Sequence, residues 1–359
     1  MRVGLVIYGS LDTVSGGYLY DRRLVEALRQ AGDEVEIISL PWRSYARHLT
    51  DNRSAELLRR MSGEFDVLLQ DELNHPSLAW ANGRLGWNRP SIVAIVHHLR
   101  VSEARPAWRN RLYGKVERRY LRSVDGFVYN SRTTKRVVEG LIGEARPHIV
   151  AWPGGDRFAP QVTPAAVAQR MNEVPLRLLF VGNLIPRKGL HDLLGALSRV
   201  NGDWRLSIVG DSTADPTYAR RVRHTAERLG LAHRVSWHGN LSDDQLAAEL
   251  SAAHVLAVPS EYEGFGIVYL EGMGFGLPAL ATTAGAASEI ITDGENGFLV
   301  APGDTHTLVE RIEALIDDRG LPARLGVAAL AAYDRHPKWE ESMAAVRAFL
   351  LQLVRPEKG

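Results

Sequence analysis

Short apolar runs alternating with amphipathic segments constrain this chain more than any other feature. The opening run MRVGLVIYG is followed by YLYDRRLVEALRQAG, with Leu24, Val25 and Leu28 at helical spacing, and then by EVEIISL. Further strand candidates are FDVLLQ, SIVAIVHH, GFVYNS and HIVAWPG, then LRLLFVG, WRLSIVG, RVSWHG, VLAVPS, LPALATT and GFLVAP. Strands that alternate with helices are joined by crossovers, so they predict parallel sheets covered on both faces. Right-handed crossovers then gather the functional loops at the carboxyl ends of the strands.

The 359 residues suffice for two domains. The segment DRFAPQVTPAAVAQRMNEVP is rich in Pro, Gln and Ala and weakly periodic, which predicts a connection near residue 165 between domains spanning 1–165 and 172–335. A final amphipathic helix, 338–359, follows His336-Pro337. SDDQLAAEL carries a capping box in which Gln245 reaches back to Ser242.

Composition excludes several classes. Cysteine is absent, so there are no disulfides and no thiolate metal sites, which fits a cytoplasmic protein. VGLVIY is too short for a signal sequence, and no run approaches the ~20 apolar residues of a membrane span. The net charge is +1, and no nucleic-acid partner is expected. The charge is nevertheless uneven, with 24 Lys and Arg against 18 Asp and Glu over residues 1–160. In residues 105–123 seven basic side chains accompany one acid, Glu117. This segment reads as a solvated helix face or, functionally, as a contact for an anionic membrane surface or an anionic acceptor.

The chemistry concentrates in EYEGFGIVYLE. If a helix starts near Gly266, the backbone N–H groups of Gly264, Phe265 and Gly266 are unpaired donors at its positive end and suit a phosphate. Glu263 and Glu271 would lie roughly 10–12 Å apart along the axis, about the length of a diphosphate between a sugar and a ribose. Each carboxylate can accept hydrogen bonds from one sugar ring. The plain alternative is a solvated Glu271 and a Glu263 that merely balances the helix dipole. Lys188, after Pro186-Arg187 and before Gly189, can neutralise a leaving diphosphate, alone or with Arg187. Gly16 and Gly17 follow the first strand and allow close backbone approach to a ligand, although their loop lacks the G-x-G-x-x-G dinucleotide spacing. Of His97 and His98, strand alternation turns only one toward a site. No D-x-D metal motif, P-loop or Ser/His/Asp hydrolase signature occurs, so neither metal nor cofactor is expected.

Together, Glu263-x7-Glu271, the following GMGFGLPALATTAGAASEIITDGENGFLVAPGD, the Gly16-Gly17 pair, VAIVHH and VGNLIPRKG resemble the retaining GT-B glycosyltransferases of family 4. The resemblance covers most of the chain. It implies two Rossmann-like domains with parallel sheets facing across a cleft, the acceptor on the first and the nucleotide-sugar donor on the second, with the last helix crossing back to the first. It implies metal-independent hexosyl transfer from a nucleoside diphosphate sugar to an acceptor hydroxyl, with retention. It further implies that Glu263 holds donor-sugar hydroxyls, Glu271 the ribose, Phe265 and Gly266 N–H the distal phosphate, and that His97 is the histidine beside the sugar. One departure is Asn183, where the family often has an arginine. A sugar-nucleotide-binding protein without transfer activity and a GT-B epimerase are the alternatives; a phosphorylase would need a pyridoxal lysine, and none lies between Lys188 and Lys338.

Overall fold

The computed structural model describes residues 1–103 and 105–354. The chain forms two compact units: Met1–Pro153 together with the chain from Pro337, and Gly154–His336.

In the first unit the strands β1 Arg2–Tyr8, β2 Glu34–Leu40, β3 Val67–Asp71, β4 Ser91–Val96, β5 Gly126–Tyr129 and β6 His148–Val150 form one parallel sheet in the order β2-β1-β3-β4-β5-β6. β3, β4 and β5 are buried at every position, which is why β4 and β5 read as apolar runs and not as alternating ones, while β3 ends in the buried polar Gln70 and Asp71. The helix Gly16–Gln30 buries Tyr20, Leu24, Val25 and Leu28, the apolar stripe expected of it. Ser15 caps it by accepting from Tyr18 N at 3.3 Å. The final helix, Trp339–Leu353, packs in this unit. Trp339 meets Tyr20 edge-on at 5.6 Å, and Arg347 Nε donates to Asp33 at 2.7 Å.

In the second unit β7 Leu176–Val181, β8 Trp204–Val209, β9 Val235–Gly239, β10 Val255–Ala257, β11 Ala279–Thr282 and β12 Gly297–Val300 form a parallel sheet ordered β12-β11-β10-β7-β8-β9. The chain reverses its direction of growth between β7 and β10, so loops leaving these two adjacent strands diverge and open a crevice at their carboxyl ends. The first sheet has its switch between β1 and β3.

The weakly periodic stretch before β7 is not a plain linker. It holds the helix Pro164–Met171, begun by Thr163 and Pro164, with Val167 and Met171 buried. Two buried positions four apart are too few to stand out as a stripe. The capping box is present: Ser242 N donates to Gln245 Oε1 at 3.0 Å and Gln245 N to Ser242 Oγ at 3.3 Å.

Candidate functional site

In the second unit the crevice between β7 and β10 holds Lys188, Arg187 and Glu263. Lys188 follows β7 on a short 3-10 turn, and Glu263 follows β10. The Lys188 ammonium donates to Glu263 Oε2 at 2.7 Å, Ser260 Oγ donates to the same oxygen at 3.2 Å, and Arg187 Nη1 lies 3.9 Å from it. Both Lys188 and Glu263 are largely buried, with side chains 14% and 13% exposed, so their charges are little screened. Burial by itself would raise the Glu263 carboxyl; Lys188 and Arg187 more than reverse this and hold it at about 2. Arg187 is fixed by donating to the Tyr262 carbonyl at 2.8 Å.

The helix Ile267–Gly274 begins where expected, after Gly266 in a left-handed conformation (φ 92°). A Cβ at Gly266 would lie 2.4 Å from the Tyr269 ring and 3.2 Å from Glu263 Cγ, so glycine is required both for the backbone and for the space. Phe265 is buried, its ring 5.8 Å from that of His336, which anchors the Gly264–Gly266 turn. One turn into the helix Glu271 is 5% exposed, and its Oε1 has no hydrogen-bond partner among the described residues. Burial pushes this carboxyl up to about 7, with Arg157 Nη1, 3.6 Å away, pulling against the rise. Arg157 is itself held by Asp243.

In the first unit Gly17 and His97 come together: a Cβ on Gly17 would stand 3.0 Å from His97 Cδ2. Gly16 opens the helix beside them. β4 ends at Val96, so both histidines lie beyond the strand and its alternation does not choose between them. Their partners separate them instead. His97 Nε2 meets Asp21 Oδ1 at 3.2 Å, and His98 Nε2 meets Glu103 Oε1 at 3.0 Å.

The basic segment forms the helix Ala107–Leu121, and its acid turns inward: Glu117 is 1% exposed and accepts from Arg100 N at 2.6 Å and Val101 N at 3.1 Å. Lys115, Arg118, Arg119 and Arg122 line a concavity of about 420 Å³ with Ala79, Gly83 and Ser123. None of the four has a carboxylate partner among the described residues. Trp87 and Trp108 are 97% and 60% exposed.

Sequence reasoning missed Asp21, Asp71, Glu72 and Arg157. Asp21 had a detectable signal, since it occupies the stripe of Tyr20, Leu24 and Leu28, where a carboxylate needs a reason. Asp71 ends a fully buried strand, and Glu72 follows it. Arg157 gave no signal.

Residues 166–331 match the family profile for glycosyl transferases group 1, and residues 18–155 that for glycosyltransferase family 4. A D-inositol 3-phosphate glycosyltransferase of Xylanimonas cellulosilytica is 30% identical over 289 residues, which cover 74% of this chain and 69% of that protein. One from Streptomyces scabiei is also 30% identical, with 74% and 65% covered. Among solved structures, sucrose-phosphate synthase from Thermosynechococcus elongatus superposes with a TM-score of 0.84 at 22% identity, covering 98% of each chain. Anabaena Alr3699/HepE in complex with UDP and glucose does so at 0.76 and 22%, covering 98% of this chain and 100% of that one. At these identities the structural likeness speaks for the fold, two Rossmann-like units of the GT-B class.

Proposed function

Because this chain belongs to the group 1 glycosyl transferases, and so is a glycosyltransferase by family, we propose that it moves a hexosyl group from a nucleoside diphosphate sugar to an acceptor hydroxyl, with retention and without a metal. The observation that carries this reading is the buried Lys188–Glu263 pair at the switch point of the second sheet, next to the Gly266 helix terminus. A carboxylate held ionised accepts hydrogen bonds from sugar hydroxyls, while the ammonium beside it meets negative charge growing on the departing diphosphate. Phe265 and Gly266 N–H groups receive the distal phosphate, and Glu271, whose Oε1 accepts no hydrogen bond among the described residues, accepts from the ribose.

No group in this arrangement is posed as a nucleophile, so retention is assigned to front-face displacement. The leaving phosphate takes the acceptor's proton as the acceptor oxygen attacks from the same side. The protein's work is then orientation and charge stabilisation. Gly16, Gly17 and His97 are the first unit's substrate contacts in this reading. We assign the enzyme to the cytoplasm, at the inner face of the membrane, with the basic helix Ala107–Leu121 as the contact surface; no helix among the described residues is long and apolar enough to cross a membrane.

The deciding experiment is a panel of nucleotide sugars, UDP-glucose first because the Anabaena protein was solved in complex with it, with mass spectrometry for donor hydrolysis or transfer, run with and without EDTA. Turnover of one donor that survives chelation supports the reading. Binding without turnover favours a non-catalytic sugar-nucleotide-binding protein, and loss on chelation restored by Mg²⁺ overturns the metal-free mechanism.

A further inference from the structure

The ring of His97 lies in a nest of buried carboxyl groups, two of which have an unused oxygen. Asp21 comes from the helix Gly16–Gln30, Asp71 closes β3, and Glu72 follows it; they are 0%, 0% and 2% exposed. Asp21 Oδ1 meets His97 Nε2 at 3.2 Å, Glu72 Oε2 accepts from His97 N at 3.0 Å, and Asp71 Oδ1 accepts from Leu73 N at 2.8 Å. Asp21 Oδ2 and Asp71 Oδ2 are buried without a hydrogen-bond partner among the described residues. Asp21, Asp71 and His97 each bring one polar atom within 4.8 Å of the others. One proton held between the two carboxyl groups would satisfy both orphan oxygens. The other ring nitrogen of His97, Nδ1, makes no hydrogen bond among the described residues.

We propose that Asp21, sharing a proton with Asp71, is a positioning residue that fixes His97 Nε2–H and keeps the ring an imidazolium, so that Nδ1–H is a hydrogen-bond donor to an oxygen of the bound sugar or its leaving phosphate. This rests on the reading of His97 as facing the donor. It makes the ring a donor of positive charge and excludes it as the base that deprotonates the acceptor.

The electrostatics run the same way. Burial alone would lower His97, but the hydrogen bond and charge of Asp21, with Asp71 and Glu72, raise it to about 9. Burial and the Asp21 charge push Asp71 up to about 7, and burial with Asp71 pushes Glu72 up as well. The other groups facing the cluster are the phenols of Tyr18, Tyr20 and Tyr120, kept neutral by burial, and Glu117, which acts on Glu72. Tyr20 touches the His97 ring edge-on at 5.3 Å. Asn130 Nδ2 and Thr134 Oγ1 reach the His97 carbonyl, at 2.9 and 3.4 Å, and not its ring.

The test is a ¹⁵N NMR titration of ring-labelled histidine, assigned with His97→Ala, beside the pH profile of donor hydrolysis. In the wild-type protein both His97 nitrogens should be protonated at pH 7.5, with a pKa well above 6.5. Asp21→Asn should lower that pKa by about 1 unit or more and shift the alkaline limb of the hydrolysis profile equally. Asp71→Asn, whose amide donates to Asp21 as the shared proton does, should leave His97 high. A wild-type His97 that is neutral at pH 7.5 overturns the proposal whether or not the variants fold. So does an Asp21→Asn variant with unchanged titration, and a fall of His97 in Asp71→Asn overturns the shared proton. If Asp21→Asn moves the titration while His97→Ala hydrolyses donor normally, the Asp21–His97 assignment stands and the reading of His97 at the donor fails.

Discussion

The ammonium of Lys188 and the carboxylate of Glu263 meet at 2.7 Å across 75 residues of sequence. The pair exists because β7 and β10 are neighbours in the sheet though far apart in the chain, and each residue lies just past the carboxyl end of its strand. Each neutralises the other in a place where an isolated charge would be costly, so a ligand that engages either one must reckon with both.

Lys188→Ala should therefore reduce kcat far more than it changes donor KM, by about 10²–10³-fold, since the ammonium matters most when charge develops on the leaving phosphate. Steady-state kinetics of donor hydrolysis will show this, and wild-type turnover would remove Lys188 from the mechanism.

Glu271 predicts a pH dependence. Its carboxyl is raised by burial to about 7, against an unfolded value of about 4.3. A raised carboxyl favours the fold most while protonated, below the unfolded value, and that contribution is lost as pH rises through about 7. Glu271→Gln should thus gain thermal stability relative to wild type between pH 5 and 8. Ribose hydroxyls need the ionised acceptor, so wild-type affinity for UDP should rise over the same window relative to the Gln variant. Melting curves and calorimetry at several pH values test both; a difference that does not vary with pH would contradict the assignment.

At Gly266 an alanine must adopt φ near 92° and enter the space of Tyr269, at a cost of about 1–3 kcal/mol from the backbone alone. Gly266→Ala should lower Tm and weaken UDP binding together. Gly294→Ala is the control: its φ is 74° but its Cβ meets nothing within 4 Å, so it should cost stability and leave UDP affinity intact.

Replacing Arg111, Lys115 and Arg118 by Glu should abolish sedimentation with anionic vesicles, each basic side chain near the surface contributing about 1 kcal/mol, so the weakening is on the order of a hundredfold or more. Donor hydrolysis should persist, because Lys188, Glu263, Gly266 and Glu271 lie in Gly154–His336 and none of the three replaced side chains is among the proposed donor contacts Gly16, Gly17 and His97. Binding by the wild-type protein should fall with salt. Sedimentation indifferent to lipid charge would return the helix to a solvated surface with a soluble acceptor.

Much of the fold was legible because parallel strands buried on both faces leave unbroken apolar runs, as in SIVAIV and VGLVIY. The Gly266 helix start was legible for a local reason: a glycine turn after a strand shows itself in a few consecutive residues. Lys188 and Glu263 could be singled out separately, but nothing in either neighbourhood records their contact, which the strand order creates. Asp21 left one signal, a carboxylate on the apolar stripe of its helix, and it was passed over because a carboxylate on a helix ordinarily marks the solvated face. The paired histidines misled for a related reason: alternation holds inside a strand, and β4 stops one residue short of His97.

The helix Trp339–Leu353, packed by Trp339 on Tyr20 and by Arg347 on Asp33, has a consequence for synthesis. A ribosome completes all six strands of the first sheet, then the whole of Gly154–His336, before that helix emerges. At ~5–20 residues per second the nascent first unit waits on the order of ten seconds or more with its Tyr20 surface uncovered. The inserted second unit, contiguous in sequence, can close as soon as its own last residues leave the tunnel. Order of emergence and order of completion are therefore inverted, and the open Tyr20 face is where a chaperone would engage the nascent chain.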